Sequence, residues 1–468
     1  MSMKKIALNS LILMCICILN LNLTNVPLVA DDFISFFTFL NFNYPTNIND
    51  LINFFLPNGN KYAPLGNLFS LIVNKFYFTS SAFFDLNIKF VVILFKNLLL
   101  LLYQILFILL FKSISPTSKN SFMYGSVWYL LFSSLLQIHT FWSNDPVTSY
   151  LISGQGSTIV CLTSILCFLI FLKRLQKVYL LLCYIFAIAS VLFYPSNIGL
   201  LLGLLIIMFL IRISIYLILP FVASFIFFLY LNFTSPGRKD YSGTVTNLGN
   251  FDPSVYLTSF FSNLPTFAWK FNITATGGLL RSESSLLLFI VFSLTLSIVM
   301  SLFFIFHNRI ILNDSKPIKI FISLTFIWAI IWFSIERSTI KYSSLDVLGQ
   351  VYLSYMPLHL FITSLIFYAL ILVSRKILIF PLMVLVLIIP IQFGLNQEHA
   401  RQLNQYFDFN NYLLSLTVSN FSNLYTDSND CNIFNLEEIN NNLMYDQSYK
   451  NDLISQLFAK SERLNKYC

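Results

Sequence analysis

Two adjacent carboxylates, Asp31 and Asp32, close the first apolar stretch of a chain that holds only 20 acidic residues among 468. Charge next to hydrocarbon is costly, and where it occurs it often marks a working site. A carboxylate in a partly dehydrated setting is a stronger base than one in water, which suits it to take a proton from a hydroxyl. Phe33, Phe36, Phe37 and Phe39 follow at once, a run suited to an amphipathic helix lying at a membrane interface. Neighbours on a helix do not face each other, so one acid is expected to act as base, Asp31 being the first choice, and the other to cap or position. The plain alternative is that the pair marks the outer boundary of a helix. A second group is His139 and Asp145, with Trp142 and Tyr150 close by. Asp145 is a candidate to position an acceptor, or to bind Mg²⁺ or Mn²⁺ together with Asp31. A third is the set of cations Arg238, Lys239, Arg281, Arg337 and Lys341, which could bind an anionic group such as a phosphate. Arginine is favoured there for its planar fork. Taken singly, each of these cations reads better as solvated loop charge.

The elements that must position these groups are set by composition. Hydrophobic residues make up 57% of the chain and charged residues 10%, with a mean hydropathy of +0.75. A soluble domain carries about 25% charged residues. The chain therefore reads as a polytopic membrane protein, all α-helical. Its net charge of +8 serves topology and headgroup contact. No basic cluster with interleaved aromatics points to nucleic acid. Lys4 and Lys5 before an apolar run resemble a signal peptide, but no clean small-x-small cleavage site follows, so an uncleaved first helix is expected.

Runs of the length needed to cross about 30 Å of hydrocarbon fall at 6–30, 86–111, 121–138, 156–172, 177–194, 197–211, 213–232, 286–306, 318–334, 355–373 and 377–394. That is about eleven spans, with 197–211 and 213–232 parted only by Arg212. A less regular stretch, 65–84, is broken by Asn74, Lys75 and Ser80 and reads as a helix lying on or dipping into the surface. With Lys4 and Lys5 inside, alternate loops and their margins carry Lys112 and Lys119; Lys173, Arg174 and Lys177; Arg212; Arg309, Lys316 and Lys319; and Arg375 and Lys376. One acid, Asp314, joins them. This is the positive-inside pattern. It predicts a cytoplasmic N-terminus in a cell inner (plasma) membrane, a transmembrane domain over 1–394 and an external C-terminal segment over 395–468. The outer loops are then 31–85, 139–155, 233–285 and 335–354, and together with the C-terminal segment they hold nearly all the acids. Cys15, Cys17, Cys161, Cys167 and Cys183 lie in spans as small apolar filler. Cys431 and Cys468 face an oxidising compartment, where a bridge between them is plausible. No Cys/His spacing suggests zinc.

Between the first two spans stands Lys61-Tyr-Ala-Pro-Leu-Gly66, whose Pro64 and Gly66 mark a turn into a helix. The order of features, from Asp-Asp after the first span, through Tyr-x-Pro-Leu before the second, to a loop running from His139 through Asp145 to Gly156, resembles the GT-C class of membrane glycosyltransferases. It is most similar to the protein O-mannosyltransferase-like and bacterial lipid-A-sugar-transferase-like branches, over roughly the first 200 residues. Lys61 stands where relatives commonly have Arg, and Tyr194-Pro-Ser-Asn197 lacks an acid that relatives often carry. The resemblance implies a GT-C-like fold and transfer of a sugar from a polyprenyl-phosphate donor to a glycan, lipid or protein acceptor on the outer face, with inversion and with an outer-loop Asp as base. Some relatives need a metal ion and others do not.

Other classes leave weaker marks. There is no Gly-x4-Gly-Lys-[Ser/Thr] and no Gly-x-Gly-x-x-Gly after a strand, which disfavours soluble nucleotide chemistry. An O-antigen polymerase or ligase would centre on Arg and His in a large outer loop, yet 233–285 has Arg238 and Arg281 and no His. A transporter or flippase would bury ionisable groups at mid-membrane and repeat a half. Lys96 is the one strong mid-span charge, with snorkelling as its alternative, and no repeat is visible. A non-catalytic membrane scaffold would share most of these features.

Overall fold

A long apolar run must satisfy its backbone polar groups within itself, and the helix does so locally. The computed structural model describes residues 63–84, 87–115, 121–136, 151–234, 316–337 and 352–373, with Thr24, Ala400 and Asn404 singly, and no strand occurs among them. The helices are α1 (Pro64–Phe84), α2 (Ile88–Ile114), α3 (Ser121–Leu136), α4 (Ser157–Arg174), α5 (Lys177–Phe193), α6 (Ile198–Leu210), α7 (Ile215–Thr234), α8 (Lys316–Arg337) and α9 (Tyr352–Val373). A π-helical turn, Leu151–Gly156, leads into α4, and a 3-10 turn, Pro195–Asn197, joins α5 to α6.

Eight expected spans, from 86–111 through 213–232 and then 318–334 and 355–373, correspond to α2 through α9. Those at 6–30, 286–306 and 377–394 lie outside the described residues, apart from Thr24, which is helical and buried. Ile88–Ile114, Gly154–Arg174 and Lys316–Ile335 are long and apolar enough to cross a membrane, while Lys177–Phe193, Pro195–Leu210, Ile215–Leu231 and Met356–Ala369 are apolar but shorter. The part of the outer loop expected up to 155 is helical from Leu151, because the π turn extends α4 backwards. Asn87 caps α2, its side chain accepting from the Lys89 N–H at 2.9 Å. The break expected at Arg212 is a turn in which that residue takes φ 60°, and Leu175 ends α4 at φ 57°. Both lie in the left-handed region that commonly stops a helix.

Helix pairing follows close backbone approach and aromatic contact. α3 runs antiparallel to α2, with Gly125 against Ile108. Trp128 of α3 is the centre of the core. It meets Phe107 edge-on at 4.8 Å, stacks on Phe367 of α9 at 5.5 Å and meets Phe321 of α8 edge-on at 5.3 Å. Such ring pairs add to what burial alone contributes. α4 and α5 are stitched by the Ser164 hydroxyl, which donates to the Cys183 carbonyl at 2.9 Å. Cys161, Cys167 and Cys183 are free and buried, as filler should be. Outside, Leu94, Leu98, Leu101, Ile105 and Leu109 form an exposed stripe along α2, the surface expected of a helix facing hydrocarbon.

α6 packs on α8 through Gly199 and Gly203, a small-x3-small pair that lets helices approach. A Cβ on Gly199 would stand 3.1 Å from the Ile331 side chain and 3.2 Å from the Trp328 carbonyl, and one on Gly203 would stand 3.0 Å from Leu324 Cδ1. Most of these neighbours are side chains and can shift. Gly203→Ala should therefore cost only about 1 kcal/mol, read as a modest fall in the melting midpoint of detergent-solubilised protein. An unchanged or higher midpoint would mean the seam has slack.

The pairing also sorts the charges. The starts of α4 and α6 meet through Ser157 and Asn197, and α6 runs antiparallel to α8. Lys112, Lys173, Arg174, Lys177, Arg212, Lys316 and Lys319 consequently gather at one end of the bundle, all exposed, while Lys89 and Arg337 stand at the other. The buried polar side chains described next lie toward the other.

Candidate functional site

The end away from this basic cluster is built around the start of α1. Pro64 opens that helix, where a missing N–H costs nothing. Two residues on, Gly66 lies so near the end of α5 that a Cβ would come within 2.5 Å of the Phe193 carbonyl oxygen. The Phe69 ring packs on Phe193 at 4.9 Å, and farther along α1 Tyr77 meets Phe95 of α2 edge-on at 5.5 Å. The stretch expected to lie on or dip into the surface is thus a continuous helix seated on α2 and α5. Asn74 is buried on its inner face while Lys75 is exposed.

Beyond Phe193 the chain extends through Tyr194, whose ring stacks on Trp332 of α8 at 5.2 Å. The 3-10 turn then delivers Asn197 into the interior. Its side-chain amide donates to Ser157 Oγ at 2.6 Å and to the Ser190 carbonyl at 2.8 Å. Asn197 is 0% exposed, and its Oδ1 accepts no hydrogen bond among the described residues. The π turn lies alongside. Its Gly154 carbonyl accepts from Thr158 Oγ1 at 2.9 Å, and its Gln155 carbonyl accepts from the Tyr103 hydroxyl at 3.0 Å. Single π turns recur at functional sites because they interrupt the regular hydrogen-bond ladder. Tyr103 stacks on Tyr129 at 6.5 Å and packs on Phe132 at 6.1 Å, and Phe132 meets the buried His359 ring of α9 at 5.8 Å.

No protein-family model matches the chain, and no curated protein matches it either. What the cluster can do has to be argued from its own chemistry.

Its side chains are neutral hydroxyls and amides, with one imidazole. They can orient backbone segments and hold a hydroxyl-bearing ligand; apart from the imidazole, the bases and phosphate partners expected from the sequence are loop residues. Those groups, Asp31, Asp32, His139, Asp145, Arg238, Lys239, Arg281 and Lys341, lie outside the described residues, as do Lys61, Tyr62, Cys431 and Cys468. Arg337 is the last residue of α8. Among the described residues no three His, Cys, Asp or Glu side chains converge as a metal site would need; Asp31 and Asp145, the candidates for one, are not among them.

The structure does bring together three segments singled out in the sequence. These are Ala63–Gly66, the Tyr194–Asn197 segment and the stretch ending at Gly156. Sequence reasoning missed Tyr103, Gln155, Ser157, Ser190 and Asn197 as a group. The available signals were Gly154-Gln-Gly156 and, about forty positions on, Pro195-Ser-Asn197, and neither says which helices meet. Lys96 is also clearer. It is 1% exposed, so its whole side chain is covered rather than snorkelling. It shares the inner stripe of α2 with Tyr103, seven positions on.

Proposed function

We propose that the chain is a GT-C-like integral membrane glycosyltransferase with about eleven spans. It would move a sugar from a polyprenyl-phosphate donor to a glycan, lipid or protein acceptor on the extracytoplasmic face. Asp31 or Asp32 takes the acceptor proton. Arg238, Lys239, Arg281, Arg337 and Lys341 are the candidate cations for the departing phosphate, and His139 and Asp145 position the acceptor or, with Asp31, a Mg²⁺ or Mn²⁺ ion. Direct displacement inverts the anomeric centre, and phosphate leaves without needing an acid.

One observation carries this reading. The Ala63–Gly66 segment, which follows the loop bearing Asp31 and Asp32, is seated on the end of α5. The start of α4, directly after the π turn that follows the loop bearing His139 and Asp145, is hydrogen-bonded through Ser157 beside the same place. Both acid-bearing loops therefore re-enter the bundle at one polar end, opposite the basic end expected to face the cytoplasm.

The test is a cellular series comparing Asp31→Asn and Asp32→Asn with Arg281→Ala, scored for a surface glycan or glycolipid at matched protein levels. Loss of the base should lower product about 100-fold in one of the two Asp variants. If both are silent, the transferase reading fails.

A transporter or flippase is the second reading, favoured by the buried Lys96 and His359 inside the bundle, since intramembrane ionisable groups often line a transport path. It predicts that Lys96→Met stops movement of a lipid-linked substrate while both Asp variants retain it.

A further inference from the structure

We infer that Asn197 is a positioning residue that holds the anchors of the two acid-bearing loops in register. Its one amide group joins three segments. Through Ser157 Oγ, at 2.6 Å, it grips the start of α4 immediately after the π turn. Through the Ser190 carbonyl, at 2.8 Å, it grips the last turn of α5. Its own backbone lies in the 3-10 turn, where its N–H donates to the Tyr194 carbonyl at 3.0 Å. The end of α5 is in turn the seat of α1, through the close approach of Gly66 to Phe193 and the ring contact of Phe69. Asn197 thus links the point where residues 139–150 enter α4 to the point where residues 31–62 enter α1.

A purely structural role fits the hydrogen bonding poorly. The Ser190 carbonyl already accepts the Tyr194 N–H at 2.9 Å, so losing the amide would leave it satisfied. The Ser190 hydroxyl has its own acceptor, the Ala187 carbonyl, at 2.7 Å. Meanwhile Oδ1 is buried with no donor among the described residues, so within them the side chain is only half satisfied. An alanine would orphan no backbone group nearby; it would leave the buried Ser157 hydroxyl without its donor, a cost that removing the unpaired Oδ1 partly offsets. An amide that contributes little net stability, placed where two loop anchors meet, is accounted for by what it orients.

The inference rests on the transferase reading for its activity arm only, and the experiment separates the two. Asn197→Ala, Asn197→Gln and Asp31→Asn would be purified in detergent. They would be compared by melting midpoint, by hydrogen-exchange protection of residues 63–70 and 151–158, and by product formed against donor concentration. For Asn197→Ala, the expected result is a midpoint lowered only slightly, lower protection in both segments and a maximal rate down about tenfold, with half-saturation by donor unchanged. Asn197→Gln, which keeps the amide, should recover part of the rate and of the protection. Wild-type protection in both segments of Asn197→Ala would overturn the inference. So would a midpoint that falls in step with the rate in both Asn197 variants, because that is the mark of a structural residue. The exchange arm needs no activity, so the coupling of the anchors can be read even if Asp31→Asn proves silent and the transferase reading fails.

Discussion

A valine at position 125 should leave almost no folded protein to recover. The Cβ alone would stand 2.5 Å from Ile108 Cα, 2.9 Å from Ile108 N and 3.0 Å from the Phe107 carbonyl oxygen. All three are backbone atoms of α2, so no rotamer change relieves the overlap, and the branched side chain adds to it. The helices would have to part along a seam that also holds Phe107 against Trp128, Tyr103 on Tyr129 and Phe111 on Tyr124. Close packing is what holds helices together in hydrocarbon, where apolar burial favours no particular partner. A cost of about 3 kcal/mol or more follows, a large share of the roughly 5–15 kcal/mol by which folded proteins exceed their unfolded states. The measurement is size-exclusion of a fluorescent fusion in mild detergent, where Gly125→Val should lose its monodisperse peak. Gly156→Ala is the matched control, since its Cβ would meet only the Leu151 carbonyl at an ordinary 3.6 Å. A normal peak for the valine variant would mean that α2 and α3 do not touch in this way.

Helix positions were legible because hydrophobic length and charged breaks suffice to place them, and α2 through α9 coincide closely with the expected spans. Helix partners were not. The α6–α8 contact joins Gly199 to Ile331 across more than a hundred residues, and uniformly apolar faces carry no periodic signal to announce such a neighbour. For α1, the polar breaks at Asn74 and Lys75 suggested a surface helix. They sit on different faces, one covered by the bundle and one open. The π turn was invisible for a related reason. Its carbonyls are held by Tyr103, 52 positions away, as well as by the nearby Thr158. The candidate acids are proposed from charge alone and lie outside the described residues. Asn197 looked only like the absence of an acid, because its importance comes from the serines it meets.

Under the proposed transferase reading, Gly66→Ala should give a protein that folds and inserts yet loses most of its activity. A methyl group at 2.5 Å from the Phe193 carbonyl oxygen and 3.4 Å from the Phe193 carbonyl carbon must push the start of α1 off the end of α5. The rest of α1 can stay where it is, because Tyr77 remains against Phe95 well down the helix. The bundle loses only a rim contact, about 1–3 kcal/mol. What moves is the junction between Lys61 and Gly66, through which the loop carrying Asp31 and Asp32 is tethered to the polar end. A shift of about 1 Å in a reacting group can cost as much as 100-fold in rate, so product per folded molecule should fall between about tenfold and that limit. Phe69→Ala makes the necessary comparison. It removes the ring contact with Phe193 at 4.9 Å but lets the backbone seat close normally, and it should lose stability with far less activity. Equal losses in the two variants would mean that α1 matters only as packing. A fully active Gly66→Ala would detach the α1 junction from the site and leave Asn197 holding only the loop that enters α4.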